Sequence, residues 1–287
     1  MNLEKYYSTC DIYLPDFASF RRFNFRLFGG KYVEIKDRID SPETLRKWLL
    51  RYLPKDVYVS TTAYLNPVMV RSKNKKIPRN KWADRLFLFQ DLVFDFDGAY
   101  DKVLPELIKA HNVLVSEFGF RTFLFVKSGG GLHLWVLDFK ANMDCIPNPH
   151  LREFHYRNAK NLILQAMKAH NVVCDYAVTK DMHRVIRLPQ TIHGKTMQVV
   201  EEFYSPHELM DGLDSSLTPL LHQFIAESEQ IREEVADSPV TTGSSAMIRV
   251  AVNGRGTESK ASGERLALSC EDIPHPSPTN VSTGGLI

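Results

Sequence analysis

The stretch at residues 92–98, which reads LVFDFDG, constrains the fold of this chain more than any other. A short apolar run that ends in turn residues is typical of a buried β-strand. Side chains alternate along a strand, so Asp95 and Asp97 are predicted to point to the same face. Two like charges at that spacing repel each other unless a cation or a shared proton lies between them. The stretch therefore predicts either a metal site or a strand end whose aspartates cap the next turn.

The composition is that of an ordinary globular protein, with 287 residues, 44% of them hydrophobic and 24% charged. No run approaches 18 apolar residues, and the N-terminus does not lead into a signal-like region, so we expect a cytoplasmic protein. The four cysteines are scattered and form no CxxC pair, which argues against a disulfide framework and against a zinc site built from them. A net charge of +2 neither implies nor excludes nucleic acid as a partner.

Hydrophobic periodicity predicts helices and strands over residues 1–235, which we interpret as one catalytic domain. Helices are predicted at residues 42–52, where Ser41 is the cap, and at residues 100–118 and 152–170. Strands are predicted at residues 23–27, 57–61, 86–96 and 183–188, and a hairpin with a glycine turn at residues 122–137. From residue 236 onward Ser, Thr, Gly and Pro dominate, which predicts a disordered low-complexity tail over residues 236–287.

A basic segment precedes the strand that carries the two aspartates. Residues 71–85 hold seven Lys and Arg side chains and a single acid, lack periodicity and include a proline, so they predict an exposed loop. Loops on a rigid scaffold often carry function. If the loop binds nucleic-acid phosphates, the binding should weaken steeply with salt. The candidate contacts to such a strand are Arg71, Lys75, Lys76, Arg79 and Lys81.

Two further segments contain groups that could join the aspartate pair. Residues 128–133 read SGGGLH, in which the glycines let backbone N–H groups approach an anion while Ser128 and His133 add donors. Residues 184–196 read RVIRLPQTIHGKT, and their cationic and hydroxyl groups suit a polyphosphate. Taken alone, the first is a common hairpin turn and the second a charged surface hairpin. Asp175, a lone acid just before the second segment, adds a third carboxylate.

Together these groups have the chemistry of nucleotidyl transfer. Two divalent metal ions held by three carboxylates could activate a 3′-hydroxyl and neutralise a leaving pyrophosphate. Arg, Lys and His side chains could hold the triphosphate while charge develops.

The order of the motifs resembles the archaeo-eukaryotic primase superfamily, especially the catalytic small subunit of archaeal replicative primases. Such proteins show a hydrophobic strand ending in DxD, a short S-G-rich turn with histidine, an acid followed by Val-Thr, and an R-L-x-R-x-P-x-x-x-H-G-K-T segment. The corresponding segments here are residues 93–97, 128–133, 175–179 and 184–196. The resemblance implies an α/β (α+β) fold in which an RRM-like antiparallel sheet packs beside a second α/β module, with the active-site cleft between them.

The resemblance also implies roles for individual residues. Asp95, Asp97 and Asp175 would be catalytic acids that bind Mg²⁺ or Mn²⁺, with Asp175 on a strand beside the other two. His133 and Lys195 would face the same cleft. The residues implied to contact the incoming nucleotide are Ser128, Gly129, His133, Arg184, Arg187, His193, Lys195 and Thr196.

The implied substrates are a single-stranded DNA template and NTPs or dNTPs, for primer synthesis or extension in replication or repair. The candidate partners are a large primase subunit and a replicative helicase, and the implied location is the nucleoid. Three departures from the common pattern suit a minimal primase-polymerase: a shortened glycine turn, Met197 where glycine often follows H-G-K-T, and no Cys/His knuckle between Gly98 and Arg121. No structural zinc is therefore expected.

Two other functions fit parts of the sequence. The string VFDFDG is nearly the hhhDxDG signature of haloacid-dehalogenase-like phosphatases, in which Asp95 would be the nucleophile and Asp97 the acid/base. However, Ala99 replaces the usual threonine, and no convincing pair of acids follows.

The second alternative is a non-catalytic, RRM-like nucleic-acid-binding protein, with Phe94, Phe96 and Trp135 as stacking platforms. Core packing of these aromatics is the more economical interpretation. Three positioned acids would also repel a phosphate backbone unless metal ions intervene.

Overall fold

The structure is a computed structural model that describes residues 1–67, 86–142, 148–205, 208–209 and 226. The five candidate template contacts in the basic segment and the tail from residue 236 lie outside these residues, so both remain predictions. Within the described ranges, no helix is long and apolar enough to cross a membrane.

The first sheet has four antiparallel strands in the order β2-β1-β3-β9. These strands are β1 (Phe23–Arg26), β2 (Tyr32–Glu34), β3 (Asp56–Ser60) and β9 (Val185–Arg187). The predicted strands at residues 23–27, 57–61 and 183–188 are thereby confirmed, the last in a shorter form. Apolar side chains alternate with polar ones along β1, so one face of this sheet is buried and the other is wet.

The second sheet carries the two aspartates. It has the order β10-β7-β8-β6, formed by β6 (Leu92–Asp97), β7 (Phe123–Lys127), β8 (Gly131–Val136) and β10 (Glu201–Phe203). All its pairings are antiparallel, and the predicted glycine-turn hairpin is the β7–β8 pair. Because β8 lies between β6 and β7, these strands and the helix joining them form a split β-α-β unit. The predicted mixed α/β class with antiparallel sheets is confirmed.

Two short strands and five helices complete the described elements. The strands β4 (Thr62–Tyr64) and β5 (Phe87–Gln90) pair with each other. The helices are α1 (Leu3–Thr9), α2 (Pro42–Tyr52), α3 (Tyr100–Phe118), α4 (Pro149–Ala169) and α5 (Tyr176–Lys180). Short 3₁₀ helices cover Ala18–Phe20 and Leu137–Asn142.

The predicted continuous strand over residues 86–96 is wrong in one respect, because the chain breaks at Asp91 between β5 and β6. The Asp91 carboxylate forms a buried ion pair with Arg21 at 2.7 Å, and its backbone N–H donates to the Thr61 carbonyl. Asp91 is thus the point at which the chain passes from the two-stranded sheet of β5 to the four-stranded sheet of β6.

Two hydrophobic cores lie on opposite faces of the second sheet. One core packs α3 and α4 against the face that bears Phe94, Phe96 and Leu134. The other joins Val93 and Trp135 to the buried face of the first sheet and to α2. Phe94, Phe96 and Trp135 are fully buried, so the core-packing interpretation of these aromatics is confirmed. The second core fixes the two sheets against each other and thereby positions the site.

Candidate active site

The aspartate pair lies at the end of β6, in register with the second half of the hairpin. Asp95 is opposite His133, and Asp97 is opposite Gly131. A Cβ at Gly131 would lie 2.0 Å from the Phe96 carbonyl oxygen, so only glycine lets β8 approach β6 at this point. The close pairing places Asp95 beside the glycine turn.

Asp95 is held in an unfavourable electrostatic environment. Burial, followed by the negative charges of Asp97 and Asp175, raises its pKa from 3.8 to about 7, against a lowering by two arginines, Arg184 and Arg187. Its Oδ1 is buried and has no hydrogen-bond partner. Like charges and an unsatisfied buried oxygen are relieved when a cation binds, so this carboxylate fits the role of a metal ligand.

Asp175 lies beside the aspartate pair, but the element that carries it differs from the prediction. It does not lie on a strand but is the N-cap of α5, where its Oδ1 accepts hydrogen bonds from the N–H groups of Ala177 and Val178. A five-residue stretch with a capping aspartate forms a helical turn more readily than an unpaired strand. Its own N–H donates to the Asp95 carbonyl at 2.8 Å, which ties the start of α5 to β6.

Thr179, at the far end of α5, makes a second tie to β6. Its hydroxyl donates to the Val93 carbonyl at 2.8 Å. The Val-Thr pair that follows the acid is therefore structural in this chain, since it holds Asp175 beside the aspartate pair.

The glycine turn and the basic turn contact each other directly. Gly129 has a φ of +78°, and a Cβ there would lie 2.9 Å from the Cβ of His193 and 3.0 Å from Thr196 Oγ1. Gly130 also lies against the His193 ring. The two segments, predicted separately to bind phosphate, therefore form one surface.

The tautomer of His193 follows from its neighbours. The backbone N–H of Thr196 donates to Nδ1 at 3.3 Å, and the Thr196 hydroxyl lies 2.7 Å from the same nitrogen. Because Nδ1 accepts, the proton of the neutral ring is on Nε2, which is left as a donor. Burial and the nearby Arg187 and Lys195 charges lower the pKa of His193, which favours this neutral form.

Other predicted nucleotide contacts differ in accessibility. Arg184, Lys195 and Thr196 are exposed. Ser128 is buried, and its hydroxyl donates to the Gly131 carbonyl within the turn.

His133 is 2% exposed, so it lies beneath the surface rather than facing the solvent. Its Nε2 is 3.4 Å from Asp95 Oδ1. Burial and two arginine charges lower its pKa to about 3, so the ring is neutral.

Asp56, at the start of β3, is a site residue that sequence reasoning missed. Its Oδ1 accepts from the Gly194 N–H at 2.8 Å and lies 3.5 Å from the Arg187 guanidinium. A Cβ at Gly194 would lie 2.6 Å from Asp56 Oδ2. The carboxylate therefore anchors the basic turn from a distant strand, and nothing in the local sequence of β3 signals that role.

No three His, Cys, Asp or Glu side chains in the described ranges are grouped closely enough to hold a metal ion as they stand. Asp97 and Asp175 are exposed, whereas Asp95 is buried. The assignment of metal ligands thus stays a prediction, supported by the donor chemistry of Asp95.

The amino-acid sequence is similar to those of one class of known proteins. The chain is 23% identical to the DNA primase small subunit PriS of Thermoplasma acidophilum, over 71% of this chain and 78% of the relative. It is 21% identical to the protein of that name from Sulfolobus acidocaldarius, over 88% and 92% of the two chains, and 28% identical to that from Pyrobaculum calidifontis, over 61% and 68%. The matches confirm the resemblance to the archaeo-eukaryotic primases. Within that class, the curated relatives are small subunits of archaeal DNA primase.

Two other comparisons, with family models and with solved structures, do not extend this result. No family model matches the chain. Among solved structures, the polymerase domain of Mycobacterium tuberculosis Ligase D in complex with DNA aligns with a TM-score of 0.43 and 15% identity, covering 77% of this chain and 87% of that one.

Proposed function

We propose that this protein is a primase-polymerase that transfers nucleotides to a 3′-hydroxyl on a single-stranded DNA template. The observation that carries the proposal is the contact between Gly129 and His193, which joins the glycine turn and the basic turn into one surface beside Asp95. Acids beside a surface of phosphate-binding character are what nucleotidyl transfer requires. The similarity to archaeal primase small subunits supports the same reaction.

The basic turn would hold the triphosphate. Lys195 and Arg187 supply positive charge, His193 Nε2 supplies a neutral donor, and the glycine turn supplies backbone N–H groups. Asp56 keeps Arg187 and the basic turn in place before substrate arrives. The entropic cost of ordering these groups when substrate binds is therefore small.

The acids would hold Mg²⁺ or Mn²⁺, which when bound supplies activation of the 3′-hydroxyl and neutralises charge on the leaving pyrophosphate. Asp95 is the central ligand in this proposal, because it is the buried member with an unpaired oxygen. His133 is its neutral neighbour, with Nε2 at 3.4 Å from Asp95 Oδ1.

The two alternatives have less support. A phosphatase that uses Asp95 as its nucleophile has no need of the surface formed by Gly129 and His193, and none of the curated relatives named above is a phosphatase. The stacking aromatics that a pure binder would use on the second sheet are buried. A DNA template and nucleotides are accordingly the proposed substrates, in the compartment that holds the DNA, and a large primase subunit is a candidate partner.

The test is primer synthesis on single-stranded DNA with labelled NTPs and dNTPs, with Mg²⁺ or Mn²⁺. The Asp95→Asn variant keeps the shape of the side chain and removes the charge repulsion, so it should fold at least as well as wild type. We expect it to lose at least about 100-fold in synthesis. Asp37→Ala, which removes an exposed acid of the loop between β2 and α2, is the matched control and should retain wild-type activity.

Equal synthesis by wild type and Asp95→Asn would overturn the proposal. Hydrolysis of a phosphate monoester by wild type, lost in Asp95→Asn, would establish the phosphatase instead. Template binding without synthesis under either metal would establish the binder.

A further inference from the structure

The wet face of the first sheet carries a cluster of which the proposed chemistry uses one member, Arg187. Arg26 of β1 and Tyr58 of β3 alternate with core residues and point away from the buried face. Tyr32 of β2 is opposite Arg26, and Arg187 of β9 is opposite Tyr58. These four residues are called the tyrosine face below.

The two tyrosines present an aromatic surface to solvent. Tyr32 is 61% exposed, although it lies in a strand and not at a loop tip. Its ring centroid is 6.4 Å from that of Tyr58, with an angle of 35° between the planes. The exposed Tyr32 ring, with a second ring beside it, offers an apolar surface on which a planar group can stack.

Each ring is paired with a guanidinium. The Arg26 guanidinium lies 5.7 Å from the Tyr32 centroid, and that of Arg187 lies 5.5 Å from the Tyr58 centroid. The Nε atoms of both arginines are buried without a hydrogen-bond partner. Rings that alternate with cations are characteristic of surfaces that bind single-stranded nucleic acid, where bases stack and phosphates meet positive charge.

Nearby acids do not cancel this charge. Asp56 is the carboxylate closest to the two arginines, at 4.0 Å from Arg26 and 3.5 Å from Arg187, and it also accepts the Gly194 N–H. Glu34, in the next row of the sheet, pairs with Arg22 and Lys36. One buried carboxylate shared by two guanidiniums leaves the tyrosine face positive, which complements a phosphate backbone.

Arg187 connects this face to the candidate active site. Its guanidinium lies 3.5 Å from Asp56 Oδ1, and the same oxygen accepts the N–H of Gly194 in the basic turn. A strand that occupied the tyrosine face would therefore adjoin the basic turn of the candidate site.

We propose that the tyrosine face binds an unpaired base of single-stranded nucleic acid, stacked on Tyr32 beside Tyr58, with Arg26 on an adjoining phosphate. The inference deepens the proposed function and rests on it only for the place of the strand relative to the acids. Binding is measurable without nucleotides or metal, so its failure and the failure of synthesis are separate observations.

The experiment measures binding of the full chain to a fluorescently labelled oligothymidylate of about 16 nucleotides, the upper end of typical single-strand site sizes. Tyr32→Ala should bind about 5- to 100-fold more weakly than wild type, and Tyr32→Phe, which keeps the ring, should bind as wild type does. Tyr204→Ala is the matched control, since Tyr204 is 59% exposed and lies outside this face. It should leave affinity unchanged.

A second probe separates stacking from charge. On an abasic oligonucleotide of the same length, Tyr32→Ala and wild type should bind equally, because there is no base to stack. Arg26→Gln should weaken binding to both probes and reduce the dependence of log affinity on log salt by about one. Equal affinity of Tyr32→Ala and Tyr204→Ala for oligothymidylate would overturn the proposal, as would an equal loss by Tyr32→Ala on both probes.

Discussion

Lys160 is a buried ammonium in the middle of α4, and replacing it with methionine should change how stability depends on pH. The side chain is 2% exposed, and its Nζ donates to Gln90 Oε1 at 2.9 Å. Gln90 in turn donates to Thr61 Oγ1 and to the Asp181 carbonyl. Lys160→Met keeps a similar unbranched shape while it removes the charge and one hydrogen bond.

The magnitude follows from the pKa of Lys160. Burial outweighs the attraction of Asp181 and lowers this pKa from 10.5 to about 7. Between these two pH values the unfolded chain binds a proton that the folded chain does not, so the free energy of unfolding rises with pH. The rise is about 1.4 kcal/mol per pH unit, or on the order of 4 kcal/mol between pH 7 and pH 10. The burial penalty is therefore fully present below pH 7 and disappears as pH approaches 10.5.

The free energy of unfolding of Lys160→Met should lack this pH-dependent contribution. It avoids the cost of the buried charge but leaves Gln90 Oε1 without its donor, which costs about 1–3 kcal/mol. Near pH 7 the variant should be more stable than wild type, and the difference should fall by on the order of 4 kcal/mol by pH 10. Groups that titrate equally in both proteins cancel in the difference.

The assay is urea unfolding of both proteins at one-unit steps from pH 7 to pH 10, with the difference in free energy of unfolding plotted against pH. Lys47→Met, in the exposed part of α2, is the control and should give a difference that is flat with pH. A flat difference for Lys160→Met as well would refute the reasoning. It would mean that the Lys160 charge is compensated in the folded state as completely as in water.

Three other substitutions test the local geometry. Gly129→Ala should lower the free energy of unfolding by about 1–3 kcal/mol more than Gly119→Ala in a urea titration, since both have positive φ but only Gly129 lies against His193. Met197 has a φ of 56°, which strains any residue except glycine. The thermal midpoint of Met197→Gly should therefore exceed that of Met197→Ala by the equivalent of about 1 kcal/mol. Equal midpoints would contradict backbone strain at this position. Asp91→Ala should destabilise the fold by about 3–5 kcal/mol in urea, because it leaves its buried arginine partner uncompensated; a loss below 1 kcal/mol would show that the carbonyls around that arginine suffice.

Local signals were sufficient to predict the helices and the hairpin. The bounds of α2 and α3 match the prediction because Ser41 caps one helix, Gly119 ends the other with a φ of +72°, and apolar residues repeat at helical spacing between. The glycine turn between β7 and β8 followed from composition in the same way. These features depend on residues within a few positions of each other, which a single sequence displays directly.

Errors arose where a distant partner decides the local structure. The break between β5 and β6 lies at Asp91, whose ion-pair partner Arg21 is 70 positions earlier in the chain. Asp175 was predicted to lie on a strand, but its side chain caps α5 and its N–H donates to the Asp95 carbonyl, and both contacts favour a helical turn. His133 is paired opposite Asp95, so it faces the same side of the sheet, and its low exposure could not be read from the sequence. Apolar periodicity does not report such pairings.

Asp56 shows why the site could be predicted only in part. Its hydrogen bond to the Gly194 N–H spans 138 residues, and the Gly129 contact with His193 spans 64. Motifs supplied the groups with the right chemistry, but the residues that hold those groups in place are recognisable only once the chain is folded. Because each of these contacts joins segments from different strands, no fragment that lacks β3 or the β7–β8 turn retains all of them. The candidate site is therefore a property of the two sheets packed together, and its chemistry should be lost whenever that packing is lost, even with every acid unchanged.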